Sequence, residues 1–208
     1  EPIPLYTCLP HPDHASLRGL MTCLNAFSKK EIGDVPSLLL IEDGEHTIEI
    51  YKDEDGDNFW NYLVIDFPLT IIGESRDGCT IIGGLKMKGK KEDDVNVKNL
   101  TISQSKGGGA CGKDGMSFHL FNLNIEKSEM CGVGVIGTKR NTMSNCQVSH
   151  SIESGVFVGY NGLITMNGSG TSIHNNVTEG ESHNYGLNPH DDSSSIHLVS
   201  PLTKESVS

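Results

Sequence analysis

The middle of the chain carries a repeat of 23 residues, and this repeat constrains the fold more than any other feature. Three segments with the pattern asparagine, apolar, any residue, apolar begin at Asn99, Asn122 and Asn145. A glycine follows each asparagine after ten residues, at Gly109, Gly132 and Gly155. A repeat of this length holds two short strands and two turns, which is what one coil of a parallel β-helix requires.

The constant spacing of asparagine and glycine in successive repeats indicates coils that stack on one another. Asparagine suits a turn in the left-handed backbone conformation, because its side chain hydrogen-bonds locally. A β-sandwich with evenly spaced strands is the alternative, but it gives no reason for both residue types to recur in phase. We therefore expect an all-β fold, a parallel β-helix of about six coils. Asn176 and Gly186 are predicted to continue the repeat, with about eight extra residues inserted around 167–170.

The N-terminal part of the chain follows a helical pattern instead. Apolar residues recur there with helical spacing: Leu17, Leu20, Met21, Leu24 and Phe27. This spacing predicts an amphipathic helix over about 14–30. We expect the helix to cap the apolar end of the first coil, so that 1–34 form a capping segment and 35–208 form the β-helix domain. No comparable cap is predicted at the C-terminus, so we expect either that the solenoid continues beyond Ser208 or that a partner covers that end.

Charge and hydropathy exclude several classes of partner. The formal net charge is −11, and an acidic surface repels nucleic acid and anionic membranes. The main local exception is the basic run over 86–91, which is either a solvated loop or a short contact strip for an anionic polymer. No apolar run approaches the roughly 20 residues that a membrane span needs. We therefore expect no nucleic-acid partner and no membrane span.

The cysteines and the acidic residues give little support for a metal or cofactor. The six cysteines include no CxxC pair, so a zinc site is not predicted. Three sequons are present, at Asn99, Asn167 and Asn176. Together with the even number of cysteines, they slightly favour a secreted or extracellular protein.

An acidic run near the start of the domain imitates a calcium loop. Asp53, Asp55 and Asp57 occupy positions one, three and five, but the required glycine is displaced and no glutamate stands at position twelve. A solvated acidic loop is favoured, calcium is the alternative, and no other cofactor is predicted.

A cluster of polar residues near the C-terminus is the strongest candidate for a functional site. The stretch HNYGLNPHD spans 183–191 and contains two histidines, a tyrosine and a carboxylate within nine residues. Because Gly186 is predicted to keep the phase of Gly155, the stretch should lie at a turn that enters a β-helix strand.

The repeat resembles that of the right-handed parallel β-helix superfamily, which includes pectate lyases, pectin esterases and alginate epimerases. The phrase LTIIGESRDGCTIIGG, residues 69–84, is similar to the opening coils of many such proteins. The resemblance covers most of the chain from about residue 37 and implies a right-handed parallel β-helix, but it does not imply an activity.

The stretch HNYGLNPHD resembles the active-site segment of mannuronan C-5 epimerases, which reads Tyr-Gly-x-Asp-Pro-His and is often followed by an acidic residue. The matching residues are Tyr185, Gly186, Pro189, His190 and Asp191. Asn188 replaces the aspartate of the family, and His183 occupies the place of a histidine that acts as base in some members.

The resemblance implies proton abstraction at carbon 5 of a uronate. A base removes the proton, and an acid returns one to the opposite face or expels the 4-linked sugar. His183 or His190 is the candidate base, and Tyr185 is the candidate acid. Asn188 and Asp191 are the candidate substrate-binding residues.

A cation must also neutralise the substrate carboxylate, because the intermediate is enolate-like. Lys139 and Arg140, two coils back, are the best candidates for this role.

Two functional hypotheses remain open at this point. In the first, the β-helix acts on or binds an acidic polysaccharide, with epimerase-like or lyase-like chemistry if it is an enzyme. In the second, it is a non-catalytic scaffold for a protein partner or an assembly. The polar stretch favours the first hypothesis, whereas the replaced aspartate and the expected open C-terminal end favour the second.

Overall fold

The computed structural model describes residues 6–9, 16–30, 35–52, 59–179 and 185–207. In these segments the chain forms three parallel sheets, one of eight strands and two of six, and one antiparallel pair of strands. Consecutive strands alternate among the three parallel sheets, so that the chain winds as a right-handed parallel β-helix. Each of the two six-stranded sheets receives one strand from each coil, so these sheets contain six stacked coils. The predicted fold class is confirmed.

Each sheet is built from strands that recur once per coil. The first sheet contains β1 (Tyr6–Leu9), β2 (Leu38–Ile41), β7 (Leu69–Gly73), β10 (Asp94–Lys98), β13 (Ser117–Phe121), β16 (Asn141–Ser144), β19 (Leu163–Asn167) and β22 (Ser195–Leu198). The second sheet contains β3 (Gly44–Thr47), β8 (Cys79–Ile82), β11 (Thr101–Ser103), β14 (Asn124–Glu126), β17 (Gln147–Ser149) and β20 (Ser172–His174). The third sheet contains β6 (Tyr62–Ile65), β9 (Gly84–Lys88), β12 (Ala110–Lys113), β15 (Val133–Ile136), β18 (Val156–Gly159) and β21 (Leu187–Pro189). The antiparallel pair is β4 (Tyr51–Lys52) with β5 (Phe59–Trp60).

The core is a set of side-chain columns, because each inward residue stacks on its equivalent in the next coil. One column in the second sheet follows directly from the strand register: Ile81, Ile102, Ile125, Val148 and Ile173. All five side chains are at most 2% exposed. Burial of an aliphatic side chain of this size stabilises a fold by about 1.5–3 kcal/mol. The alternation of apolar and polar residues within each short strand therefore fixes which face of the strand turns inward.

The repeated asparagines form a ladder at the turn between the first and second sheets. Asn99, Asn122 and Asn145 have φ angles of 61°, 54° and 52°, the left-handed conformation that the sequence predicts. The Asn122 amide donates to Asn99 Oδ1 at 2.7 Å, and the Asn99 amide donates to the Gly73 carbonyl at 3.1 Å. The ladder satisfies polar groups at a sharp turn and holds neighbouring coils in register.

The prediction that Asn176 continues this ladder is wrong. Asn145 is followed one coil later by Gly168, which has a φ angle of 82° and takes over the left-handed turn. Asn176 lies in the next turn of the coil, where its amide donates to the Val148 carbonyl and its Oδ1 accepts from the Ser151 N–H, both at 3.0 Å. Glycine replaces asparagine in the ladder because it adopts positive φ without strain.

The extra residues of the last coil are divided between two places. Gly186 keeps its predicted phase, since its carbonyl accepts from the Val156 N–H at 2.8 Å. Ser149 pairs with His174, 25 residues later, so that only two of the eight extra residues precede this point. The other six lie between His174 and Leu187, and not around 167–170 as predicted.

The N-terminal helix covers the first coil as predicted. Helix α1 (Leu17–Lys30) packs against β6, the edge strand of the third sheet, and buries its apolar residues Leu17, Leu20, Met21 and Leu24. The Asn25 amide also donates to the Val64 carbonyl of this edge strand at 2.7 Å. The sequence did not predict β1, which pairs in parallel with β2 and extends the first sheet.

The C-terminal end is partly covered, which corrects the expectation of no cap. A single helical turn, α2 (Lys204–Val207), contacts β20, and the side chains of Leu202 and Val207 are buried against the last coil. Beside it lies a cavity of about 630 Å³ bounded mainly by β21 and β22. Neither described helix has the length and apolar character that a membrane crossing requires.

Candidate functional site

The outer surface of the third sheet brings together residues that are far apart in the sequence. The strand register stacks Lys86, Cys111, Gly134, Phe157 and Asn188 in one outward column. A second outward column, two residues further along each strand, includes Lys88 and Lys113 in register, and His190 follows β21 on the same side. We call the surface formed by Lys86, Lys88, Lys113, Cys111, Phe157 and His190 the third-sheet face.

Three lysines gather at one end of the third-sheet face. Lys86 is half-buried, and its pKa is lowered by burial and by the charges of Lys113 and Lys88. Lys86 Nζ lies 5.5 Å from the centre of the Tyr62 ring. Within the described part of the chain no carboxylate lies within 4.0 Å of this ammonium, whereas Lys113 approaches Asp114 at 3.4 Å. The cluster is therefore a local positive site on an acidic protein, and it is only partly neutralised by its own carboxylates.

Aromatic side chains occupy the other end of the third-sheet face. The Phe157 and His190 rings lie 5.3 Å apart at an interplanar angle of 38°. Tyr160 and Tyr185, in the adjoining turns, are 71% and 55% exposed. Three coil steps separate Lys86 from Phe157 in the register, which corresponds to about 14 Å along the solenoid axis.

Tyr185 and His190 are both exposed on the last coil, as a substrate-facing role requires. The Tyr185 N–H donates to Ser154 Oγ at 3.2 Å, and its carbonyl accepts from the Gly155 N–H. These backbone bonds hold the turn, so that the phenol ring projects outward. His183, the other candidate base, lies outside the described residues, as do the candidate calcium ligands Asp53, Asp55 and Asp57. In the described segments no three His, Cys, Asp or Glu side chains are grouped to hold a metal ion.

Asn188 has a different environment from the one that the motif suggested. Its side chain is only 5% exposed, and its amide donates to Ser154 Oγ at 3.0 Å. The Ser154 hydroxyl therefore accepts from both Asn188 and the Tyr185 backbone. In this position the Asn188 amide links β21 to the turn before β18 and presents little surface to a substrate.

Asp191 is bound within the protein. Its Oδ2 accepts from the Tyr160 N–H at 2.6 Å and from Ser194 Oγ at 2.9 Å, and its Oδ1 accepts from the Ser193 backbone N–H at 3.0 Å. Hydrogen bonds from Ser193, Ser194 and the Tyr160 backbone lower the pKa of Asp191 to about 2. The carboxylate thus ties the turn after β21 to the turn after β18.

The two candidate cations point in different directions. Lys139 Nζ donates to Asn161 Oδ1 at 2.8 Å, beside the exposed Tyr160. The Arg140 guanidinium instead pairs with Asp94 at 2.7 Å, two coils earlier on the first sheet. Only Lys139 is therefore near the turn that Asp191 organises.

Sequence reasoning missed how the third-sheet face is assembled. The sequence shows the basic run over 86–91 but not that Lys113 stacks on Lys88 in the next coil. The two lysines are 25 residues apart, whereas the repeat in the sequence has 23 residues. The pairing of Phe157 with His190 depends on the register across the long last coil. The alternation of each strand could have shown that these side chains face outward, but not that they adjoin.

A comparison with protein families identifies the architecture independently. The model of the family described as right handed beta helix region matches residues 69–200, which is more than half of the chain. The chain belongs to this family. Among solved structures, the chain is similar to the catalytic domain of a GH87 α-1,3-glucanase in complex with tetrasaccharides, at 12% sequence identity and a TM-score of 0.46. The similarity covers 83% of the present chain and only 38% of the glucanase chain. No curated protein matches it.

The environment of Asp191 generates a prediction for the pH dependence of stability. Because the folded-state pKa is depressed, Asp191 stabilises the β-helix above its unfolded pKa of about 3.9, and this contribution is lost as the pH falls toward about 2. We expect Asp191→Asn to lower Tm by a constant amount above about pH 5, and the difference from wild type to shrink between about pH 4 and pH 2. Thermal unfolding followed by circular dichroism measures both. Asp192→Asn, a change at the exposed neighbouring residue, is the matched control, and a deficit in Asp191→Asn that does not change with pH would contradict the assignment.

Proposed function

We propose that this β-helix binds an acidic, uronate-containing polysaccharide along the third-sheet face. The observation that carries the proposal is the convergence of Lys86, Lys88 and Lys113 on one outward surface of a protein whose formal net charge is −11. Like charges crowd together at a cost, and that cost is relieved when an anion binds between them.

The lowered pKa of Lys86 supports a carboxylate ligand. Burial and the two neighbouring lysines both disfavour its charged form. A uronate carboxylate placed beside the ammonium restores the charged form and forms a charge-assisted hydrogen bond. Charges more than about 10 Å away are screened at ordinary ionic strength, so an anionic polymer near the lysines is attracted by them despite the net negative charge of the protein. The acidic surface elsewhere repels the polymer, which confines binding to the lysine cluster.

The aromatic end supports a polymer in preference to a small anion. Phe157, His190 and Tyr185 present apolar ring surface about two to four coils from the lysines, and the His190 and Tyr185 rings also carry polar groups. A ligand that spans both ends must be extended and must carry both charge and apolar sugar faces. An acidic polysaccharide has all of these properties.

Epimerase-like or lyase-like chemistry is a second candidate, favoured by the joint exposure of Tyr185 and His190. Abstraction of the carbon-5 proton requires a base on one face of the sugar and an acid on the other. His190 is proposed as the base within the described residues, and Tyr185 as the acid. The substrate carboxylate would need a cation, for which Lys139 is the nearest candidate because Arg140 is bound to Asp94. Binding alone does not require any of these roles.

The binding proposal predicts a charge-dependent loss of affinity. Replacement of Lys86 and Lys113 by glutamine removes two charge contacts worth up to about 1 kcal/mol each, which reduces the affinity for polymannuronate or polygalacturonate by up to roughly 30-fold. Isothermal titration calorimetry at low and high salt measures this loss, and the wild-type affinity should fall as salt rises.

The matched control is Lys98→Gln, which removes an exposed lysine from the outer face of the first sheet. This variant should bind as wild type does, and a neutral glucan should bind to neither protein. Equal losses in the Lys98→Gln variant, or no wild-type binding to either uronate polymer, would contradict the proposal.

The catalytic proposal predicts a separation of turnover from binding. Tyr185→Phe and His190→Phe should each lower the rate of carbon-5 inversion or chain cleavage by about 10²–10⁴ and change affinity little, because both variants keep the ring surface. Proton NMR of the polymer detects inversion, and ultraviolet absorbance of unsaturated ends detects cleavage. Binding without either signal in the wild-type protein would reject catalysis and leave the binding proposal intact.

A further inference from the structure

Two cysteines from neighbouring coils meet in the middle of the third-sheet face. Cys111 lies on β12, and Cys131 lies in the turn that leads into β15 of the next coil. Cys111 is paired in register with Gly134, three residues after Cys131. Both side chains are half-buried, and both thiols are unbonded in the structure.

Glycines beneath the two cysteines allow their sulfur atoms to converge. A methyl group built on Gly134 would lie 3.0 Å from the Cys111 sulfur and 3.2 Å from the Cys131 sulfur. A methyl group on Gly108 would lie 2.3 Å and 3.4 Å from the same two atoms. Both sulfurs therefore occupy the space that side chains at these two positions would otherwise fill.

We propose that Cys111 and Cys131 form a reversible disulfide that links two neighbouring coils of the solenoid. The proposal stands on the convergence of the two sulfur atoms above Gly108 and Gly134, and it does not depend on polysaccharide binding. A link between residues 111 and 131 closes a loop of one coil, so it restricts the unfolded chain and stabilises the folded one.

The surroundings give the two thiols different roles in thiol–disulfide exchange. The pKa of the Cys111 thiol is lowered, first by the neighbouring Cys131 and also by the charge of Lys86. The pKa of the Cys131 thiol is raised, first by the neighbouring Cys111 and then by burial. Lys86 lies beside Cys111 in the strand register, and the thiolate is the nucleophile, so Cys111 is the attacking residue and Cys131 is the resolving residue.

The oxidant is a low-molecular-weight disulfide, and the exchange balances in two steps. The Cys111 thiolate attacks one sulfur of the small disulfide, forms a mixed disulfide and releases one small thiol. Cys131 then loses its proton and attacks the Cys111 sulfur, which forms the Cys111–Cys131 bond and releases the second small thiol. The cysteine pair loses two electrons and two protons, and the small disulfide gains them.

Two other cysteines provide internal controls. Cys79 and Cys146 are fully buried, and burial raises the pKa of each thiol to about 11. They should remain reduced in the folded protein under conditions that oxidise Cys111 and Cys131.

The test equilibrates the folded protein with oxidised glutathione and maps disulfides by alkylation and peptide mass spectrometry. We expect a cross-linked pair of peptides containing Cys111 and Cys131, whose mass is two hydrogens below the sum of the two reduced peptides, and unmodified Cys79 and Cys146. The oxidised protein should unfold at a Tm higher by roughly 5–10 °C, and a reducing agent should reverse the shift.

Two single variants separate the proposed roles of the thiols. In Cys131→Ser, Cys111 should retain glutathione as a stable mixed disulfide, because no resolving thiol is present. In Cys111→Ser, Cys131 should remain reduced. A wild-type protein that stays reduced, or that carries glutathione on Cys111 without the cross-link, would overturn the proposal. The wild-type mapping decides this even where a variant fails to fold.

Discussion

The structure depends on the hydrogen bonding of each strand to its equivalent in the next coil. This ladder requires that every coil return to the same place, so the turns must be precise although the strands of the three parallel sheets are only three to five residues long. The asparagine ladder supplies that precision at one turn, where the Asn122 amide bonds to Asn99 Oδ1. Gly168 supplies it in the last coil, where the asparagine is missing. Once the turns are fixed, the inward columns of aliphatic side chains provide the stability.

The same constraint creates the surfaces on which the proposed functions rest. A residue in one coil is placed about 4.8 Å from its equivalent in the next, whatever the length of chain between them. Lys88 therefore stacks on Lys113, and Cys111 adjoins the turn that carries Cys131. An acidic chain acquires a local cluster of cations in this way, beside a thiol pair and an aromatic pair. The solenoid thus brings together on one surface reactive and charged side chains that are far apart in the sequence.

The sequence predicted what is periodic and missed what departs from the period. The fold class, the left-handed asparagines and helix α1 follow from spacing, and the structure confirms them. Asn176 was placed in the wrong turn because the long last coil hides where its extra residues lie. The functional role of the motif residues remains a prediction. A match in sequence does not reveal that Asn188 is buried against Ser154 or that Asp191 holds a turn. These outcomes depend on neighbours in other coils, which spacing alone does not identify.

The most direct test of the central claim is lysine footprinting with and without a mannuronate or galacturonate oligomer. Acetylation is followed by peptide mass spectrometry, so that each lysine reports its own accessibility. We expect Lys86 to react readily in the free protein, because its lowered pKa leaves more free amine, and we expect bound oligomer to protect Lys86 and Lys113 but not Lys98. Protection of Lys98 in place of the third-sheet lysines, or equal labelling with and without a saturating oligomer, would contradict it.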